Sequence, residues 1–422
     1  MAVLSLNRLP VVDAAGDVFA YVLEVEGGSD QDVAELLAGV VARYSIDGIT
    51  TGRAVLLPGR LPVLALEELD GATAPEVAFT VSEQQLSDLP TAEALHAQRA
   101  RRRKVFVSDL RTPNQLVPLK GRADGILLDA TAHGPEDVRS ICSAAAGSGL
   151  AVLMTDVADA DQHRAYVAAG VSGSSGPHTV LADELRPRGL CTDRVNTQRL
   201  VALLADSQHE ITQVEAIVHD DAGLAWRLLQ LVDDEPGGQR LRVTSLRQAL
   251  VAVGSGQLRE WISLQAEVGV DNGIDSNADR ELAAAVLIRA RFCQEITGLV
   301  PEADADEGFL AGMLSGVVDI LGVDLEEVLA HVHVGMNIER ALRDGEGSLA
   351  VPMSMIRSPS VAVGTARQAG LDPRAVTYAY LDAVSVAGRM LRRHPDVQDD
   401  LQRQSEIGRR LSLARWNEPA TD

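Results

Sequence analysis

Cysteine and basic charge are scarce in this chain, and no apolar run reaches the ~18 residues needed to span a bilayer. The three cysteines, Cys142, Cys191 and Cys293, are odd in number, far apart and in no metal-ligand spacing, which excludes a disulfide framework and a cysteine metal site. They read as buried, reduced thiols. Lysine and arginine total 38 against 60 acidic residues, a net charge of −22, and a field of that sign repels a polyphosphate backbone, so generic nucleic-acid binding is not expected. The opening MAVLSLNRLP lacks the basic stretch and apolar core of a secretion signal. The expectation is a cytoplasmic protein with no membrane partner.

What is present is an ordinary globular composition, 46% hydrophobic and 23% charged over 422 residues, enough for two or three domains of roughly 150 residues each. The first part alternates short β-branched runs with alanine-rich helical stretches. Strands are expected at 18–24, 54–57, 76–81, 104–107, 125–128 and 151–154, with helices at 32–44, 91–103, 135–146 and 160–169. Alternation of this kind argues for parallel βα units. From about Asn196 nearly everything falls at helical spacing: 200–205, 214–219, 222–232, 245–253, 258–268, 280–297, 307–321, 324–331 and 374–393. Between the two parts, Leu181–Arg194 carries Pro187 and Gly189 and suits a linker or connecting helix. All three tryptophans, Trp226, Trp261 and Trp416, follow it. Val397–Arg415 reads as a terminal amphipathic helix, packed on the domain or used for a partner.

RVTSLRQALVAVGSGQLREWISL (Arg242–Leu264) resembles the central signature of the HDOD domain, and EITQVEAIVHDDAGLAWRLLQLVDD (Glu210–Asp234) resembles the segment before it. ELAAAVLIRARFCQEITGL and DEGFLAGMLSGVVDILGVDLEEVLAH are similar to the helices that follow. Upstream, LPVVDAAGDVFAYVLEVEG (Leu9–Gly27), ADGILLDA and GLAVLMTDVADADQHRAYVAAGVSGSSGP resemble the opening, a middle strand and the closing segment of an EAL domain of the cyclic di-GMP phosphodiesterase type. The order resembles EAL–HDOD two-domain bacterial signalling proteins. The implied architecture is a degenerate, shortened (β/α) TIM-like barrel at 1–182, a linker at 183–195, an all-helical HDOD domain at 196–395 and a helical tail at 396–422. Only six strands are visible where a barrel has eight, which leaves an open or incomplete barrel as an alternative.

EAL phosphodiesterases, by this resemblance, hold two divalent metals with carboxylates at strand ends, since hard cations take oxygen ligands and two metals stabilise both attacking and leaving oxygens. Here those positions are largely stripped. The motif glutamate aligns with Val22, and Glu24 on the same strand face lies about 7 Å further along. The ligand asparagine aligns with Leu57, the next carboxylate with Thr80, the paired aspartates with Ser108 and Asp109, the lysine with Leu127, and the late glutamate with Thr155 or Asp156. Asp109, Asp129 and Asp156 keep a carboxylate. In the second domain, Ser315 and Gly316 replace the metal-binding His-Asp pair of the ancestral phosphohydrolases, and HDOD domains are defined by that loss. His331 and His333 diverge on a helix, with Glu327 the one carboxylate a turn away. That falls short of three ligands for a catalytic metal. No catalytic residue, metal or cofactor is expected.

Four residues of the loop GVSGSSGPH, Gly173, Ser174, Ser175 and Gly176, are the candidate ligand-binding set, because loops of the last βα units often bind phosphate. Set against that, small residues form a tight connection to Pro177, and no Gly-Lys-Ser follows. RARRRK (Arg99–Lys104) is a phosphate or acidic-partner candidate, but a solvated helix C-terminus, where cations complement the helix dipole, explains it better. Asp220-Asp221 and Asp233-Asp234 read as a cap and an acidic face. No G-x-S-x-G elbow occurs, which excludes a serine hydrolase of that type. The expected function is a catalytically inactive signalling or scaffold protein related to cyclic di-GMP, acting through protein partners; the resemblance also implies a homodimer. The alternatives are a cyclic di-GMP or nucleotide sensor without hydrolysis, and a residual phosphodiesterase.

Overall fold

In a computed structural model, residues 4–71, 77–176, 190–205, 210–233, 241–268, 277–356 and 359–392 are described. They fall into two compact units, one within residues 1–183 and one within 184–394. The linker up to residue 189, the tail 396–422, Asp234 and Trp416 lie outside the described residues.

The first unit is a closed barrel of eight strands: β1 (Ser5–Val12), β2 (Val18–Glu26), β3 (Ala54–Pro58), β4 (Val77–Ser82), β5 (Lys104–Ser108), β6 (Gly125–Asp129), β7 (Ala151–Thr155) and β8 (Gly173–Ser174). Strands β2 to β8 are parallel, and β1 runs antiparallel to both β2 and β8. The open-barrel alternative is thus corrected by two strands the pattern did not show. Helices α1 (Asp30–Tyr44), α2 (Ile46–Thr50), α3 (Leu61–Leu64), α4 (Glu83–Ser87), α5 (Leu89–Ala100), α6 (Pro135–Ser148) and α7 (Ala160–Ala169) occupy the connections.

Local chemistry accounts for these bounds. Ser29 and Asp32 make a reciprocal capping box on α1, α6 begins with Pro135 after Gly134, and α6 and α7 end on Gly149 and Gly170. Inside the barrel, Val11, Ala20, Val22, Leu56, Ala78, Phe106 and Leu153 form a core of strand residues alone. Gly125 and Gly173 exist for close approach: a Cβ would sit 2.4 Å from the Phe106 ring and 2.6 Å from the Phe19 ring respectively.

The second unit is entirely helical: α8 (Arg194–Ala205), α9 (Ile211–His219), α10 (Ala222–Asp233), α11 (Leu246–Val268), α12 (Asn277–Leu299), α13 (Ala305–Leu321), α14 (Leu325–His331), α15 (Met336–Arg343), α16 (Ala350–Met355), α17 (Pro359–Gln368) and α18 (Pro373–Arg392). Within the span of α11 the expected pair of helices is present, separated at Gly254, whose φ of 75° and ψ of 160° break the helical path. Helices α15 to α17 lie where the sequence pattern shows no helix. Gly308, Gly312 and Gly316 let α13 lie directly on α12: an added Cβ would come 2.3 Å from Thr297 Oγ1, 2.6 Å from Cys293 Cβ and 3.2 Å from Val286 Cγ1.

Replacing Gly312 by valine is expected to lower the unfolding free energy by about 1–3 kcal/mol through overpacking. Gly364 in α17 has open space where its Cβ would be, so Gly364→Ala should raise it by about 0.5–1 kcal/mol. Denaturant melts of the two variants check the pair, and equal effects would contradict the packing assigned to Gly312.

Candidate functional site

A (β/α) barrel presents its functional groups at the carboxyl ends of its strands. Side chains alternate along a strand, and the residues of the interior core set the phase on each one. That phase puts Val22 and Glu24 of β2 inside, with Leu56 and Pro58 of β3, Thr80 and Ser82 of β4, Ser108 of β5, Leu127 and Asp129 of β6, and Thr155 of β7. Ser175 continues the interior phase of Gly173, which pairs with Leu153. Leu57 points the other way, so its alignment with the ligand asparagine is corrected: no side chain at 57 reaches the barrel interior.

Val22, Thr80, Leu127 and Ser175, from alternate strands, make one interior layer with no ionisable group in it. The carboxylates sit at or beyond the strand ends. Burial raises the Glu24 carboxyl above its ordinary range, helped by the negative charges of Asp156 and Glu26. Asp109 and Asp156 are exposed and follow their strands in left-handed backbone, with φ of 63° and 57°. Asp129 turns its Oδ1 to its own loop, accepting from the N–H and the hydroxyl of Thr131 at 2.7 Å each. Among the described residues, no three histidine, cysteine, aspartate or glutamate side chains are placed to hold a metal ion. The residues present therefore do not fit a pair of divalent cations.

The expected ligand loop is in one place and mostly occupied with closing the barrel. Gly173 and Ser174 are β8 itself, Ser174 Oγ lies 2.6 Å from His163 Nδ1, and the Ser175 N–H donates to Met154 O at 2.8 Å. Gly176 packs on the Val157 backbone, where a Cβ would approach to 2.3 Å. The Ser175 hydroxyl is buried and has no hydrogen-bond partner among the described residues. In the basic run, Arg99 donates to Gly121 O and pairs with Asp124, and Arg103 donates to Leu69 O and Gln98 Oε1, so both fasten the barrel.

In the helical unit, Ser315 and Gly316 lie in the α12–α13 seam, where the Ser315 carbonyl accepts from Arg289 and Arg289 pairs with Asp319 at 2.8 Å. His331 ends α14 with Nδ1 2.8 Å from Glu327 O. His219 stacks on Phe309 at 4.1 Å, and burial, with Arg291 beside it, holds the imidazole neutral down to about pH 3. Asp221 caps α10 through the Leu224 N–H, and burial pushes its carboxyl up to about 7. Burial also pushes the Cys142 thiol up to about 11 and that of Cys293 to about 12, whereas Cys191 is only half-buried.

The HDOD domain family matches residues 190–334. Residues 190–334 are thus similar to an HDOD domain. The match begins at Leu190, upstream of the Asn196 start expected from the pattern, and the closed barrel precedes it in the chain. The cyclic di-GMP phosphodiesterase CdgJ of Vibrio cholerae is 28% identical over 206 residues, 49% of this chain and 47% of that protein. YuxH of Bacillus subtilis is 21% identical over 153 residues, 36% of this chain and 37% of that protein. The chain thus spans less than half the length of either relative. Among solved structures, the EAL domain of Xanthomonas citri FimX in complex with c-diGMP has a TM-score of 0.35 at 17% identity, covering 41% of this chain and 85% of that one. The EAL domain of Mycobacterium smegmatis DcpA gives 0.35 at 17%, covering 41% and 90%. Among the described residues, no helix is long and apolar enough to cross a membrane.

The rim carboxyl of Glu24 supplies a test of the barrel mouth. A carboxyl raised in the folded state disfavours folding once pH rises through its folded value. Glu24→Gln is expected to raise the thermal midpoint at pH 7.5 and to leave it nearly unchanged at pH 4, read by calorimetry at both.

Proposed function

We propose that the protein is a catalytically silent cytoplasmic member of the cyclic di-GMP signalling proteins, a degenerate EAL barrel joined to an HDOD domain, acting through contacts with protein partners or a second copy of itself. The observation that carries this is the interior layer of Val22, Thr80, Leu127 and Ser175, which offers no carboxylate or lysine where phosphodiester hydrolysis would need them. The retained apolar cores support a scaffold that has kept its surfaces and lost its chemistry. The relative named as a cyclic di-GMP phosphodiesterase supports the link to that nucleotide, and hydrolysis is the outcome set against ours.

Calorimetric titration of the purified protein with cyclic di-GMP, with and without Mg²⁺ or Mn²⁺, followed by analysis of the nucleotide, tests this reading. Intact nucleotide is expected under all conditions. Breakdown above trace rates would sink it.

A second reading is favoured by one observation, the Ser175 hydroxyl buried inside the barrel with no partner among the described residues. On it, Gly173, Ser174, Ser175 and Gly176 contribute to nucleotide binding without turnover. Ser175→Ala, which keeps the barrel closed, should then weaken cyclic di-GMP binding about tenfold, the loss of one hydrogen bond of ~1.4 kcal/mol. Unchanged affinity would remove the loop from consideration.

A further inference from the structure

The inner face of the barrel changes character between floor and mouth. In the layer of Val22, Thr80, Leu127 and Ser175, Thr80 and Leu127 are half-buried although their side chains face inward, so the mouth is open down to that level. From there up, the hydroxyls of the wall have their protons committed. The Thr80 hydroxyl donates to Leu57 O at 3.2 Å and that of Thr155 to Leu128 O at 3.4 Å, each on the preceding strand. Ser108 Oγ has Val81 O and Asp109 Oδ2 as acceptors, both at 3.4 Å. What these groups keep for the interior is lone pairs.

Two more oxygens face inward with no hydrogen-bond partner among the described residues. One is the Ser175 hydroxyl, 0% exposed, at the lower level. The other is Asn7 Oδ1, buried at the rim, where Asn7 continues the interior phase of Leu9 and Val11 and lies directly across from Glu24. Glu24 is two residues beyond Val22, about 7 Å further along β2 than the layer of Ser175. The lining therefore offers acceptors at two levels, with charge at the upper one alone. Asp109, Asp129 and Asp156 add carboxylates at the strand ends, and of the cations Arg60 and Arg111 that follow β3 and β5, Arg60 is paired with Asp30 of α1 at 3.1 Å. Burial and the charges of Asp156 and Glu26 raise the Glu24 carboxyl, and a cation beside it would offset that repulsion.

We propose that the mouth of the barrel binds a small amino alcohol, its ammonium group held at the rim between Glu24 and Asn7 and its hydroxyl reaching down to Ser175. An ammonium brings three donors and no acceptor, which is what a lining of lone pairs and carboxylates lacks. The charged end belongs at the rim, because the lower layer has no ionisable group and a charge placed there would be desolvated without a counter-ion. A hydroxyl at that depth both gives and accepts, and it relieves the cost of leaving the Ser175 oxygen unbonded. A phosphodiester would bring more acceptors and more negative charge to a surface that already has both, so on this proposal Ser175 serves the amino alcohol and not a nucleotide.

Calorimetric titration of the full chain with three probes tests it: aminobutanol carrying its amine and hydroxyl at opposite ends, butylamine, which lacks the hydroxyl, and butanediol, which lacks the charge. Aminobutanol is expected to bind saturably, one per chain, and each of the other two about tenfold more weakly, the effect of one hydrogen bond or more. Ser175→Ala should weaken aminobutanol about tenfold and leave butylamine unchanged, whereas Glu24→Gln should weaken both amines and leave butanediol unchanged. Absence of saturable binding would overturn the proposal. So would equal binding of aminobutanol and butylamine, which marks mere attraction of amines to an acidic surface, or a Ser175→Ala variant that changes affinity for cyclic di-GMP and not for aminobutanol. The three probes on the wild-type chain decide the matter by themselves if a variant does not fold. No nucleotide is present in these titrations, so this proposal and the catalytically silent reading fail separately.

Discussion

The barrel depends on closure of its sheet through two residues. Gly173 and Ser174 are hydrogen-bonded to β7 on one side and to β1 on the other, and without them seven strands would leave two edges open. Closure dictates the chemistry available at that point. Gly173 must lack a side chain because Phe19 fills the floor of the barrel, and Ser174 must face outward toward His163. Gly176 must pass over the Val157 backbone. A run that resembles a phosphate loop in composition is thereby largely explained by geometry, with Ser175 the one member whose hydroxyl looks inward.

What the sequence made legible follows the same physics. The six middle strands could be read because a buried parallel strand is a near-continuous run of valine, leucine and isoleucine between turn residues. That continuity also hid the phase: AVLLP does not say whether Leu56 or Leu57 faces inward, and the alignment of the ligand asparagine slipped by one for that reason. Strand β1 escaped because Asn7, Arg8 and Pro10 interrupt its apolar character, and β8 because two residues make no pattern. In the helical unit, long amphipathic spans were visible. The short α15 and α16 carry too few turns to show a period.

The residues at the expected motif positions were also legible, since reading them required only identities at motif spacing. Burial was not. Nothing in DDAGL distinguishes Asp220, paired on the surface with Arg291, from Asp221, buried at the start of α10. Adjacent identical residues point in different directions on entering a helix, and only the packed structure assigns one to a cap and the other to an ion pair. The same holds for Gly308, Gly312 and Gly316, whose spacing of four becomes meaningful once Cys293 and Thr297 are seen against them.

The reversed direction of β1 has a consequence for how the barrel could be addressed from outside. In a barrel whose strands all run one way, the first strand begins on the floor, opposite the mouth. Here Ser5 is paired with Glu26 and Asn7 with Glu24, so β1 begins at the rim beside the last residues of β2 and descends from there. The start of this strand is therefore within reach from outside, and a reporter attached at Asn7 would hang over the mouth at the doorstep of Glu24.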